Sequence, residues 1–116
     1  MIENVLASLP ASDRRVLSRP EMRAGFLSML REALRQGGRG PQHDTRLMVS
    51  PWDFHPEEIR IHVEFWHGED DRNAPPAMAR YVAGAIPDSQ LQLFPGEGHI
   101  SLIVGRIEEI LRYVLE

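Results

Sequence analysis

The sequence contains no cysteine and no lysine. Without cysteine there are no disulfides, no thiolate nucleophile, no iron–sulfur cluster and no cysteine-ligated zinc. All 13 cationic side chains are arginine, scattered along the chain rather than gathered on one stripe. With a net charge of −4 and a pI near 5.7, the basic field that nucleic acid or an anionic membrane requires is absent. No run approaches the roughly 18 apolar residues of a spanning helix. The opening residues Met1 to Pro10 carry an early acid and a broken apolar pattern, unlike a signal peptide. The expectation is a soluble, cytoplasmic protein without membrane or nucleic-acid partners. What is present is the composition of an ordinary globular chain, 42% hydrophobic and 26% charged over 116 residues, enough for one compact domain.

Two unlike halves divide that length. Residues 1–58 read as a helical region. Ile2, Val5, Leu6 and Leu9 have helical spacing, and Pro10 ends the segment. Ser18-Arg19-Pro20-Glu21 has the form of a capping box, followed by Met22, Phe26, Met29, Leu30, Ala33 and Leu34 on one stripe, with Gly37-Gly38 as the stop. That stripe is expected to serve as core rather than as a ligand surface. Residues 37–46 read as loop. Trp52 and Phe54, among prolines, are expected to pack.

Residues 59–116 change period. Ile59 to Trp66 is rich in strand formers, and His67-Gly68 terminates it. A polar loop follows, then a helix capped by Asn73 and opened by Pro75-Pro76, with Met78, Val82, Ala85 and Ile86 on one face. Leu91, Leu93 and Phe94 mark a second strand. Ile103, Ile107, Ile110, Leu111 and Val114 mark a last amphipathic helix. Strand, helix, strand, helix implies an α/β fold with two parallel strands joined by a crossover helix.

One pair of residues carries chemistry in this order. Asp71 lies just past the C-terminal end of the first strand and His99 just past that of the second. Catalytic loops gather at that edge of a parallel sheet, and neighbouring strands lie about 5 Å apart. A carboxylate on imidazole Nδ1 sets the tautomer and leaves Nε2 to act as general base. Gly96 and Gly98 suit a tight turn presenting the ring. Each residue also has a plainer reading: Asp71 as a helix cap or a solvated acid, and His99 as an ordinary helix-start residue. His67 is expected to support its turn, and His62 and Glu64 to make one sheet face partly wet. A metal site built on His62, His67 and Asp70 is disfavoured, because strand alternation puts the two histidines on opposite faces. No cofactor is indicated, and no substrate-binding residue can be assigned.

Phe65-Trp66-His67-Gly68-Glu69-Asp70-Asp71-Arg72-Asn73-Ala74-Pro75, followed by Phe94-Pro95-Gly96-Glu97-Gly98-His99, resembles the C-terminal end of α/β-hydrolase fold enzymes. The resemblance implies a partial α/β-hydrolase fold over 59–116, preceded by a helical lid-like region, in which the stripe of Met22, Phe26, Met29 and Leu30 would, as the alternative to core, line an acyl pocket. It maps the family's triad acid to Asp71 and its histidine to His99. The family's nucleophile stands on a Gly-x-Ser-x-Gly elbow, and none of Ser8, Ser12, Ser18, Ser28, Ser50, Ser89 or Ser101 stands in one. The chain is therefore expected to supply acid and base to a serine hydrolase of ester, amide or related bonds while being inactive alone. Its partner would then be an N-terminal hydrolase segment. The alternative is a non-catalytic module that forms a homodimer through the strand edge near Ile61–Phe65.

Overall fold

A computed structural model of the chain describes residues 2–115, with side chains from Asn4 onward. Six α-helices and two strands follow in the order α1 (Ile2–Ser8), α2 (Ala11–Leu17), α3 (Pro20–Ala33), α4 (Arg39–Val49), β1 (Val63–Gly68), α5 (Pro76–Ala85), β2 (Ser89–Phe94) and α6 (His99–Leu115), with one 3₁₀ turn at Pro56–Glu58 between α4 and β1. The strands are parallel, in register from Val63 opposite Ser89 to Gly68 opposite Phe94. This is the expected α/β arrangement of two parallel strands with a crossover helix and a C-terminal helix after a helical region, and it is consistent with a partial α/β-hydrolase fold.

Alternation along the strands assigns each face a helix. Ser89 points to α5, donating its hydroxyl to the Ala83 carbonyl at 2.6 Å. Ala79, Ala83 and Ile86 are buried on that side. Glu64 and Trp66 point the other way, to α6, where the Tyr113 hydroxyl donates to Glu64 at 2.8 Å. The Trp66 ring lies 5.9 Å from Tyr113 and 5.3 Å from Phe94. A second small core joins Leu6 and Leu9 at the end of α1 to Leu17 of α2, with Met22, Phe26 and Ile100 packed against them. The side chain of Ile2, counted in the first stripe, lies outside the described residues.

Several expectations are corrected. Residues 39–49 form helix α4 rather than loop. Pro41 falls in the first turn, where its missing N–H costs no hydrogen bond, and the Thr45 hydroxyl donates to its carbonyl at 2.8 Å. No side chain of α4 is buried. Helix α2 lies in the region read as helical but was not assigned as an element of its own: two turns give little periodicity, and its stability comes from burying Val16 and Leu17, worth about 1.5–3 kcal/mol per side chain. The capping box at Ser18 does not form. The Ser18 hydroxyl donates back to Arg15 at 2.7 Å, closing α2, and Arg19 occupies the N-cap of α3. Asn73 does not cap α5, whose N-cap is Pro75. The first strand begins at Val63 instead of Ile59 and includes His67 and Gly68, because ladder pairing with 89–94 sets its length. The stripe of α6 is largely exposed, from 44% at Ile107 to 73% at Val114. A two-stranded sheet is too narrow to cover it.

His62 immediately precedes β1 and bridges two carboxylates. Its Nδ1 lies 2.8 Å from Asp88, and its Nε2 lies 2.9 Å from Glu64. The hydrogen bonds to Asp88 and then Glu64 raise its pKa above the ordinary value, and the hydrogen bond from His62 lowers that of Glu64. A raised histidine pKa gives stability that is full below about pH 6.5, its unfolded value, and is lost as pH rises through the folded one. The melting temperature of wild type relative to His62→Gln is therefore expected to be higher at pH 6 than at pH 9. Equal differences at both pH values would remove the ion pairs from the stability account.

Candidate functional site

The two loops at the C-terminal edge of the sheet are stitched together by backbone. The N–H of Glu69 donates to Phe94 at 3.0 Å, and that of Asp70 to Glu97 at 2.9 Å. Such closeness requires glycine at 68, where a Cβ would stand 2.3 Å from the Glu97 carbonyl oxygen. The His67-Gly68 pair therefore ends β1 with a residue that lets the histidine loop pass over it. The His67 ring occupies the supporting place expected of it, with Nε2 2.8 Å from the Ala74 carbonyl.

This stitching brings Asp71 and His99 together. One oxygen of Asp71 accepts the N–H groups of Asn73 (2.8 Å) and Ala74 (2.9 Å), and the other lies 2.8 Å from His99 Nδ1. The Asp71 side chain is 5% exposed and that of His99 is 48% exposed. Burial works to raise the carboxyl pKa of Asp71. The hydrogen bonds from Ala74, His99 and Asn73 outweigh burial and hold it below the usual carboxylate range. An ionised Asp71 beside Nδ1 favours the tautomer with the proton on that nitrogen. Nε2 is left without a protein partner among the described residues. The carboxylate is neither solvated nor the cap of α5, whose N-cap is Pro75: it closes the turn ahead of that helix and meets the imidazole.

His99 is the first residue of α6, and it borders an apolar trough of about 520 Å³ whose lining includes Val5, Leu9, Phe26, Met29 and Ile103. Part of the α3 stripe therefore faces this space: Met29 is 56% exposed, while Phe26 is partly buried. Trp52 and Phe54 pack on each other, with ring centroids 5.3 Å apart, on a separate cleft with Met78 and Tyr81.

The chain is similar to one curated plant protein. Over 79 residues it is 29% identical to the probable lysophospholipase BODYGUARD 3 of Arabidopsis thaliana. The match covers 68% of this chain and 15% of the length of that relative. The chain therefore contains a hydrolase-related region. No protein-family model matches the chain, and no solved structure matches it.

One residue at the site was not singled out in the sequence. Asp13, in α2, has 0% exposure. Its carboxylate accepts the backbone N–H groups of His99 (3.1 Å), Ile100 (3.0 Å) and Ser101 (2.9 Å). The contact spans more than eighty residues and leaves no local pattern. Its one trace is Gly98, where a Cβ would stand 2.5 Å from the Asp13 carboxylate. Among the described residues no cluster of three or more His, Cys, Asp or Glu side chains is arranged to hold a metal ion. No helix among them is long and apolar enough to cross a membrane.

Proposed function

We propose that this chain carries the acid and the base of a serine-hydrolase triad, Asp71 and His99. The serine would come from an N-terminal hydrolase segment, joined to this chain or bound to it. The observation that carries this reading is the 2.8 Å contact between a buried carboxylate and His99 Nδ1, with Nε2 open beside an apolar trough. In the reaction Nε2 takes the proton of the incoming serine hydroxyl as oxygen attacks the substrate carbonyl, then delivers it to the leaving group. Asp71 keeps the ring in the productive tautomer and balances the imidazolium. The plant relative is named a lysophospholipase, and the apolar lining beside His99 suits an ester with a single acyl chain. The helical region 1–58 acts as the lid that borders the acyl chain.

Losing a triad nucleophile costs about 10⁶-fold in turnover. The purified chain is expected to hydrolyse an activated ester no faster than His99→Ala, and to take no label from a fluorophosphonate. A burst of product lost in His99→Ala would overturn the need for an outside serine. Combined with a hydrolase segment bearing a Gly-x-Ser-x-Gly elbow, the chain is expected to give labelling and turnover that depend on His99. No such dependence with a folded complex would end the triad reading.

A second reading is self-association without catalysis. It is favoured by the exposed α6 stripe and by Ile61, 72% exposed beside the start of β1. Both outer strand edges are also unpaired among the described residues. Two copies paired along β1 would form a wider sheet. Light scattering at micromolar concentration is expected to give twice the chain mass on this reading, and a clean monomer would exclude it.

A further inference from the structure

The imidazole of His99 is held at two points by two different carboxylates. Asp71 holds the ring, and Asp13 holds the backbone from which the ring hangs. Asp13 reaches that backbone from α2, in the half of the chain read as a lid. It takes the first three N–H groups of α6, the groups a helix leaves without internal partners, at the end where a negative charge is most favourable. The turn closes tightly around it. Gly98 has no room for a Cβ, and the Gly98 N–H donates to the Ser101 hydroxyl at 2.7 Å. Moving the carboxylate would let the first turn of α6 shift. A displacement of about 1 Å at this backbone lengthens the Nδ1 contact to Asp71 beyond hydrogen-bond reach.

We propose that Asp13 is a positioning residue for His99, fixing the first turn of α6 so that Nδ1 meets Asp71, and that the N-terminal helical half is thereby part of the histidine's mounting. The proposal rests on the reading of His99 as a base held by Asp71, and its test separates the two.

The readout is the tautomer of the neutral His99 ring, measured from its two ring-nitrogen shifts in the ¹⁵N-histidine-labelled chain at alkaline pH. Wild type is expected to hold the Nδ1–H form. In Asp13→Asn, with the helical content of wild type, the Nε2–H form is expected to rise roughly tenfold relative to it, the size of effect a charge at a helix end exerts. Ser101→Ala loosens the same turn but leaves all three bonds to Asp13, and it is expected to keep the wild-type tautomer. A folded Asp13→Asn with the wild-type tautomer would overturn the proposal and reduce Asp13 to a structural staple. Asp13→Ser, a neutral side chain common at helix starts, decides in the same way if the asparagine variant does not fold. Asp71→Asn is the check on the underlying reading. If it leaves the Nδ1–H form unchanged, the pairing of Asp71 with His99 has failed, whatever Asp13 does.

Discussion

On the proposed triad, Asp71→Asn is expected to lower the turnover of the chain combined with a serine-bearing hydrolase segment by about 10⁴-fold while leaving the fold in place, the loss typical when a triad aspartate becomes an amide. Asparagine keeps an oxygen for the N–H groups of Asn73 and Ala74, so the turn ahead of α5 survives. Its other atom becomes an NH₂ donor facing His99 Nδ1. The ring must then accept at Nδ1 and carry its proton on Nε2, the wrong tautomer for a base. The loss should fall on kcat rather than KM. A drop of less than about tenfold would separate Asp71 from the chemistry. The same substitution has a pH signature in the chain alone. The lowered pKa of Asp71 gives stability that is full above about pH 4, the unfolded carboxylate value, and is lost as pH falls through the folded one. The difference in melting temperature between wild type and Asp71→Asn is therefore expected to be full at pH 7 and to shrink on acidification. A difference independent of pH would contradict an ionised, hydrogen-bonded Asp71.

Asp13→Ala is expected to be the most destabilising single change at the site. It strips the partner from three backbone donors around a carboxylate that has 0% exposure. Loss of a cap costs about 0.5–2 kcal/mol, and each buried group left unpaired about 1–3 kcal/mol. These terms overlap, so a net loss of about 3 kcal/mol is expected, or a fall of roughly 12 °C in melting temperature for a domain of this size. Thermal unfolding followed by circular dichroism measures it. A shift below about 4 °C would mean the first turn of α6 finds other partners. The change also severs the α2–α6 link, so protease cleavage between residues 17 and 40 should become faster.

The half of the site contributed by the sheet was legible in the sequence because it is local. His67-Gly68 before Asp71, and Gly98 before His99, are short patterns whose meaning follows from where a parallel strand ends. The geometry adds the reason for Gly68, whose hydrogen leaves room for the Glu97 carbonyl. The part contributed by Asp13 was illegible because it is long-range. An aspartate between Ser12 and Arg14 looks like a solvated helix residue, and only the docking of α2 on α6 buries it. Helix α4 escaped for the opposite reason: it buries nothing, so no apolar period announces it. The amphipathic pattern of α6 was legible, but its exposure was not, because such a pattern reports a face that needs covering and not whether anything covers it.

The sequence by itself determined the α/β order, the parallel pair of strands and the identity of the two residues that meet at their C-terminal edge, since alternation, breakers and short motifs act over a few residues. Tertiary structure alone decided where β1 begins, which helical face is buried, and that the N-terminal half anchors the backbone of His99. Those outcomes depend on contacts between segments distant along the chain, and a buried carboxylate acquires its role only when the helix end it caps is brought to it.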